Sequence, residues 1–373
     1  MRKYLDRSLI KMKSLEQRPS RIKFPRDMVE SSDTLGEIST HEGLLLEELI
    51  QRIISAREKG NPVILVFGAH TIKNGLGPVL AELAGGGWVT HLATNGAGII
   101  HDWEFAYQGA SSESVLENTA RGEFGNWEET LWWINMAINI GAWKGYGYGE
   151  SVGRMILDDG LDLPDKRELQ NALAGSTEGY GTMAAASDLL HVYEKLGLSG
   201  GRRDAGHLNA GWSLQAEATR LGVPFTAHPM IGHDIIYNHP ANCGAAVGRT
   251  AERDFLCYAE AVSRIEEGVY ISVGSAVMSP MIFEKSMSMA QNLAHQQGRK
   301  IENHYIFAAD LAASSWDWSK GEPPENNPDY YLRYNKSFSR MGGSLRYLSM
   351  DNRRFLPALC TLLARQDKGI PED

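Results

Sequence analysis

Two rhythms of apolar and polar residues alternate along this chain. Short, nearly continuous apolar runs recur as VILVF (63–67), WVTHLAT (88–94), VPFTAH (223–228), VYISVGSAV (269–277), HYIFAAD (304–310) and SLRYLSM (344–350). Runs of this length, rich in Val, Ile and aromatic residues, predict strands buried on both faces. Between them the apolar positions repeat at helical spacing. Ser39 followed by Glu42 makes a capping box, with Leu45, Leu46, Leu49, Ile50, Ile53 and Ile54 on one apolar face behind it. The Trp-rich stretch from Asn126 to Ile156 predicts helix, Gly-rich break and helix, with Trp132, Trp133 and Trp143 as packing residues. Further helices are predicted over 182–197, 211–221, 245–267 and 279–296, and a closing helix from Arg353 to Gln366.

Strand and helix alternating in this way predict an α/β fold, a Rossmann-like, mostly parallel sheet with helices on both faces. No break in composition divides it. Residues 1–38 are basic and lack a sustained period, and read as an N-terminal arm that either packs on a neighbouring subunit or remains a loose leader. Residues 39–367 read as a single domain and 368–373 as a tail.

Charge and composition narrow the partners. Forty-six acids against 37 bases give a formal net charge of -9, the wrong sign for nucleic acid or an anionic membrane. No apolar run approaches the roughly 20 residues that span a bilayer, and the basic N-terminus lacks the apolar core of a secretory signal. Cys243, Cys257 and Cys360 have no metal-like spacing and read as buried thiols in a reducing compartment. A cytoplasmic protein acting on a small molecule is the expectation.

The candidate chemistry lies where apolar runs end in Gly-bearing loops. His70, Lys73, Asn74 and Gly75 follow the first run, Thr94, Asn95, Gly96 and Gly98 the second, and Gly274 and Ser275 the fourth. In an open parallel sheet these loops converge on one edge, where backbone N–H groups approach a phosphate closely. A nucleotide-type ligand is expected there, although Gly68, Gly75 and Gly77 do not fall in the G-x-G-x-x-G spacing. Lys336 sits among Tyr330, Tyr331, Tyr334 and Phe338. A lysine desolvated by such neighbours has a lowered pKa and attacks carbonyl-like carbon to form an imine; one snorkelling over tyrosines on the surface does not. His228, His233, Asp234 and His239 form a third group, which would suit a metal-assisted hydrolase or lyase but matches no metal-binding signature.

Taken together, VFGAHTIKNGLGPVLAEL, HLATNGAGIIHD, GVPFTAHPMIGHD, GVYISVGSAV and above all PDYYLRYNK resemble the deoxyhypusine synthase family, which includes the homospermidine synthases. The resemblance implies a transferase that binds NAD and moves an aminoalkyl group from an amine donor to an amine acceptor. Lys336 is then the imine-forming lysine, with Tyr334, Asp234 and His101 as further catalytic residues. It implies a cofactor site at His70, Lys73, Asn74, Gly75, Thr94, Asn95, Gly96, Gly98, Asp234, Gly274 and Ser275. It also implies a homotetramer built from dimers, a small-molecule amine substrate and, in part of the family, a protein lysine as acceptor. Where the family carries acids suited to a polyamine, this chain has Ile100 and His101, which points to a smaller or less cationic donor. A non-catalytic relative that binds only a nucleotide is the other reading of the same motifs.

Overall fold

A computed structural model describes residues 2–33, 36–174 and 179–367. The tail at 368–373 lies outside the described residues. Six strands form the central sheet: β1 (Val63–Phe67), β2 (His91–Thr94), β3 (Phe225–Ala227), β4 (Val269–Val273), β5 (Tyr305–Asp310) and β6 (Ser344–Ser349). All pair in parallel, in the order β3-β2-β1-β4-β5-β6. The chain winds outward from β1 in one direction to β3, then returns to β4 and winds the other way. The order reverses between β1 and β4, whose registers pair Val63 with Val269 and Phe67 with Val273. Ligands of open α/β sheets bind outside the carboxyl ends of the strands at such a reversal.

Both faces of the sheet are covered, as the apolar runs require. Along β1, Val63, Leu65 and Phe67 enter one core cluster, and Ile64 and Val66 enter the other, the alternation a strand imposes on its side chains. The capping box of Ser39 and Glu42 is present and starts the helix Thr40–Lys59. The Trp-rich stretch forms Glu128–Lys144 and Tyr148–Leu157 around a left-handed Gly145. Trp133 is buried in the core, with Trp132 and Trp143 half-buried against it.

Several expected boundaries move. β2 begins only at His91, because Trp88 and Val89 fill the core ahead of the strand. The helix expected to reach 267 is Gly244–Ser263, and Glu267 at φ 57° turns the chain into β4. The three cysteines are free, but Cys257 is exposed and not buried. Among the described residues no helix is long and apolar enough to cross a membrane. The N-terminal arm lies on its own chain: Ile22–Lys23 pairs antiparallel with Ala110–Ser111, and Val29 N–H donates to Gly75 O at 3.0 Å.

Candidate functional site

The helix Gly96–Gln108 starts where β2 ends. Asn95 caps it, accepting from the Gly98 N–H at 3.0 Å. Ala97, Ile100, His101 and Glu104 follow at i, i+3, i+4 and i+7, one face of the helix. All four line a cavity of about 400 Å³ at the carboxyl edge of the sheet. Its other walls are Lys73 from the short helix Ala69–Lys73 after β1, Ser112, Glu113, Val115 and Phe124 from the segment beyond the helix, Gly232–Ile235 and Asn238 after β3, and Arg18 from the N-terminal arm.

Asp234 stands over the start of this helix. A Cβ on Gly96 would lie 2.1 Å from Asp234 Oδ2, so the glycine is required by the carboxylate and not by a phosphate. Asp234 Oδ1 accepts from the Ile236 N–H at 3.0 Å. Burial pushes its carboxyl up to about 6, against smaller opposing effects of that N–H and of His233.

His101 Nδ1 lies 2.7 Å from Ser111 Oγ, and the Ser111 hydroxyl donates to Glu104 Oε2 at 2.6 Å. Arg18 grips both oxygens of Glu104 at 2.6 and 2.8 Å, and Thr130 donates to Oε1 at 3.0 Å. Burial pushes His101 down to about 4; Glu104 opposes this, whereas Lys73, Arg18 and His70 add to it. Burial also raises Glu104, but Arg18 and the hydrogen bonds outweigh it and hold the carboxyl below its ordinary range. The cavity therefore holds a neutral imidazole beside an ionised, paired carboxylate. Lys73 is half-buried and makes no hydrogen bond or ion pair among the described residues, so it stands on the cavity wall as a cation without a direct ion pair, with Glu113 and Asp234 on the same lining.

The other expected cofactor residues have local duties. Gly75 is left-handed at φ 86° and backs onto the arm, where a Cβ would meet Asp27 O at 2.1 Å. Asn74 donates to Asn352 at 3.0 Å. Thr94 donates to Phe67 O at 3.0 Å, and a Cβ on Gly98 would strike the Thr94 hydroxyl. Ser275 accepts from the Ser279 N–H at 3.2 Å. His70 and Gly274, the latter at φ 55°, remain exposed at the ends of β1 and β4.

Lys336 and Tyr334 do not line this cavity. They lie on the helix Arg333–Ser339, where Lys336 pairs with Glu322 at 2.8 Å, 3.3 Å above the Tyr330 ring, and Tyr334 meets the Tyr347 hydroxyl at 3.1 Å. Desolvation lowers the Lys336 pKa, but Glu322 and Tyr330 outweigh it and leave the ammonium raised. The lowered pKa expected of an imine-forming lysine is not what this environment produces. The proposed metal group also disperses. His228 bonds Thr226, His239 accepts from the Ala241 N–H, and His233 is exposed at the cavity. Among the described residues no three His, Cys, Asp or Glu side chains are placed to hold a metal ion.

Arg18, Glu104, Ser111 and Glu113 were absent from the sequence-derived set. Glu104 was readable, three residues beyond His101 on the same helix face. Arg18 was not, since nothing local ties the arm to this helix. Asp102, next to His101, faces away and anchors the helix Leu214–Leu221, accepting from Ser213, Leu214 and Gln215 at 2.6 to 3.2 Å.

Fold and site together define a Rossmann-like α/β protein with a cavity at the carboxyl edge of its sheet. No protein-family model and no curated protein matches the chain. Among solved structures it is similar to the apo arginine dihydrolase ArgZ of the cyanobacterial ornithine-ammonia cycle, at 13% identity and TM-score 0.41 over 88% of this chain and 33% of that one. It is similar to AgrE in its ternary complex with ornithine and NAD+, at 14% and 0.42 over 90% and 35%. A conserved putative LOR/SDH protein from Methanococcus maripaludis S2 gives 14% and 0.43 over 92% and 74%. The chain spans about a third of the length of ArgZ and AgrE. These are not deoxyhypusine synthases. That resemblance and the aminoalkyl transfer it implied do not hold, and the ion pair of Lys336 gives the physical reason. A protein lysine acceptor is left without support, and the homotetramer rests on that resemblance alone.

Proposed function

We propose that this chain is an NAD-dependent enzyme that carries out oxidation–reduction, with proton transfer, on a small polar molecule in the cavity beside His101. The observation that carries this reading is the strand order: six parallel strands reversing between β1 and β4, the arrangement that binds dinucleotides across its carboxyl edge. The residues present fit such a ligand in one respect above all. Lys73, half-buried and without a partner among the described residues, supplies positive charge for a pyrophosphate or carboxylate. They depart from the usual fingerprint at Gly68, where a Cβ would lie 2.1 Å from Gly274 O, so that glycine closes the two loops against each other.

NAD supplies a hydride acceptor or donor when bound. The chain's own residues do the rest. Asp234, with its pKa near 6, exchanges a proton close to neutrality. Val115 and Phe124 give the cavity an apolar wall. The Arg18–Glu104 pair fixes the face of the helix that carries His101.

Titration calorimetry with NAD and NADP tests this. Saturable binding near one per chain is expected, weakened by about tenfold or more in Lys73→Ala, since a charge-assisted contact contributes on the order of 1.5 to 3 kcal/mol. No binding of either cofactor would overturn the reading.

A further inference from the structure

We propose that Nε2 of His101 is a proton acceptor of this cavity beside Asp234, its lone pair kept bare by a tautomer that Ser111, Glu104 and the arm residue Arg18 impose. Arg18 and Glu104 form a bidentate pair with side chains only 2% and 1% exposed. A guanidinium in that contact keeps the carboxylate ionised, and an ionised carboxylate only accepts. Ser111 Oγ lies 2.6 Å from Glu104 Oε2 and 2.7 Å from His101 Nδ1. A serine hydroxyl has one proton, and here it goes to the carboxylate. If it went to the imidazole instead, lone pairs of Ser111 and Glu104 would face each other at 2.6 Å. The serine oxygen can therefore only accept from the ring, so Nδ1 carries the hydrogen and Nε2 the lone pair. Nothing among the described residues bonds Nε2, and the ring lines the cavity.

The step is a plain proton transfer. An O–H or N–H bond of the bound molecule breaks, Nε2–H forms, and the imidazolium faces the Glu104 charge through Ser111. The proton then passes to ionised Asp234 or to water. The charged and titratable groups facing His101 are Glu104, Lys73, Arg18 and His70, with His233, Asp234 and Glu113 across the cavity. Before binding, Lys73 is one of the groups that depress the ring's basicity. An anionic group of the ligand that neutralises Lys73 removes that contribution, while burial, the largest cause of the low basicity, stays in place. Ser111, Glu104 and Arg18 are positioning residues that act through His101. The role as base rests on the proposed enzymatic reading of this cavity, whereas the tautomer does not.

The test is long-range proton–nitrogen NMR of the full chain labelled at histidine nitrogen, at pH 7, with His101→Gln assigning the resonance. The wild type should show His101 protonated at Nδ1 and bare at Nε2, the reverse of the tautomer favoured by free histidine. Ser111→Ala should lose that preference, and Ser111→Thr, which keeps the hydroxyl, should retain it and also guards against a folding defect in the alanine variant. An Nε2–H ring in the wild type, or an unchanged tautomer in a folded Ser111→Ala, overturns the relay. Should the tautomer hold while His101→Gln turns over as fast as the wild type, the base role falls. Absent NAD binding would count against the proposed function and leave the tautomer result standing.

Discussion

Asp234 shows how one side chain sets stability against chemistry. Its folded pKa of about 6 lies above the unfolded value of 3.8. Its stabilising share is fully present below the unfolded value and is lost as pH rises through the folded one. At pH 8 the folded chain thus holds a desolvated carboxylate, a burden of up to about 3 kcal/mol at 1.36 kcal/mol per unit. Asp234→Asn keeps the oxygen that accepts from Ile236 and removes the charge. It should gain about 1 to 3 kcal/mol at pH 8 in urea unfolding, with little gain at pH 4, while turnover falls. An equal or lower stability at pH 8 would contradict the desolvation. Gly96→Ala probes the same contact from below, because its methyl would take the place of Asp234 Oδ2. Overpacking of this kind costs about 1 to 3 kcal/mol, and NAD affinity measured beside stability should fall as well. Lys73 was readable at the carboxyl edge because it follows an apolar run, where the topology gathers side chains; His101 entered only through the resemblance that does not hold, and Asp234 through that resemblance and the dispersed metal group. Lys336 misled because tyrosines around a lysine can either bury it or stack against it, and Glu322, which decides the matter, lies in a separate turn.

At the scale of elements, one helix and one arm make the cavity. The helix Gly96–Gln108, which reads in the sequence as a Gly-bearing loop, presents Ala97, Ile100, His101 and Glu104 as a stripe. The arm contributes Arg18, whose pairing with Glu104 joins residues far apart in the chain and leaves no local pattern. Strands were legible because burial on both faces writes itself as a continuous apolar run, while boundaries depend on core contacts such as those of Trp88. The arm's duty is testable. Arg18→Ala strands a buried Glu104 charge and should cost about 3 to 5 kcal/mol, whereas the double variant Arg18→Met with Glu104→Met should cost clearly less. Denaturation of the two single variants and the double variant gives the coupling. A double variant as unstable as the sum of the singles would show that the arm holds by packing alone.

Over the whole molecule, buried titratable groups oppose one another, and their balance sets the pH dependence of folding. Burial pushes His91 and His228 down to about 3 and His304 to about 4. Each contributes stability that is present above the unfolded value of 6.5 and lost as pH falls toward the folded one. Burial pushes Asp234 up to about 6 and Asp254 up to about 7, the latter against the N–H groups of Ala227, Gly149 and Tyr148. These contribute in the opposite sense. Near pH 5 the unfolded chain holds about three protons on the three histidines, and the folded chain about two on the aspartates. His101 adds nearly one more to the unfolded side. The histidines win by about one to two protons, on the order of 1.4 to 2.7 kcal/mol of stability lost per pH unit of acidification. Between pH 7 and 8 both sets approach their high-pH forms, and stability should be nearly level. Urea unfolding at pH 5, 6, 7 and 8 reads this directly. His304 is the informative substitution, because both ring nitrogens are buried without a partner. His304→Leu removes one titrating group and should flatten the acid slope by about one proton's worth, about 1.4 kcal/mol per pH unit, whatever it does to the absolute level. Stability that rose toward pH 5 in the wild type would mean that the aspartates dominate and that the histidines are reached by water.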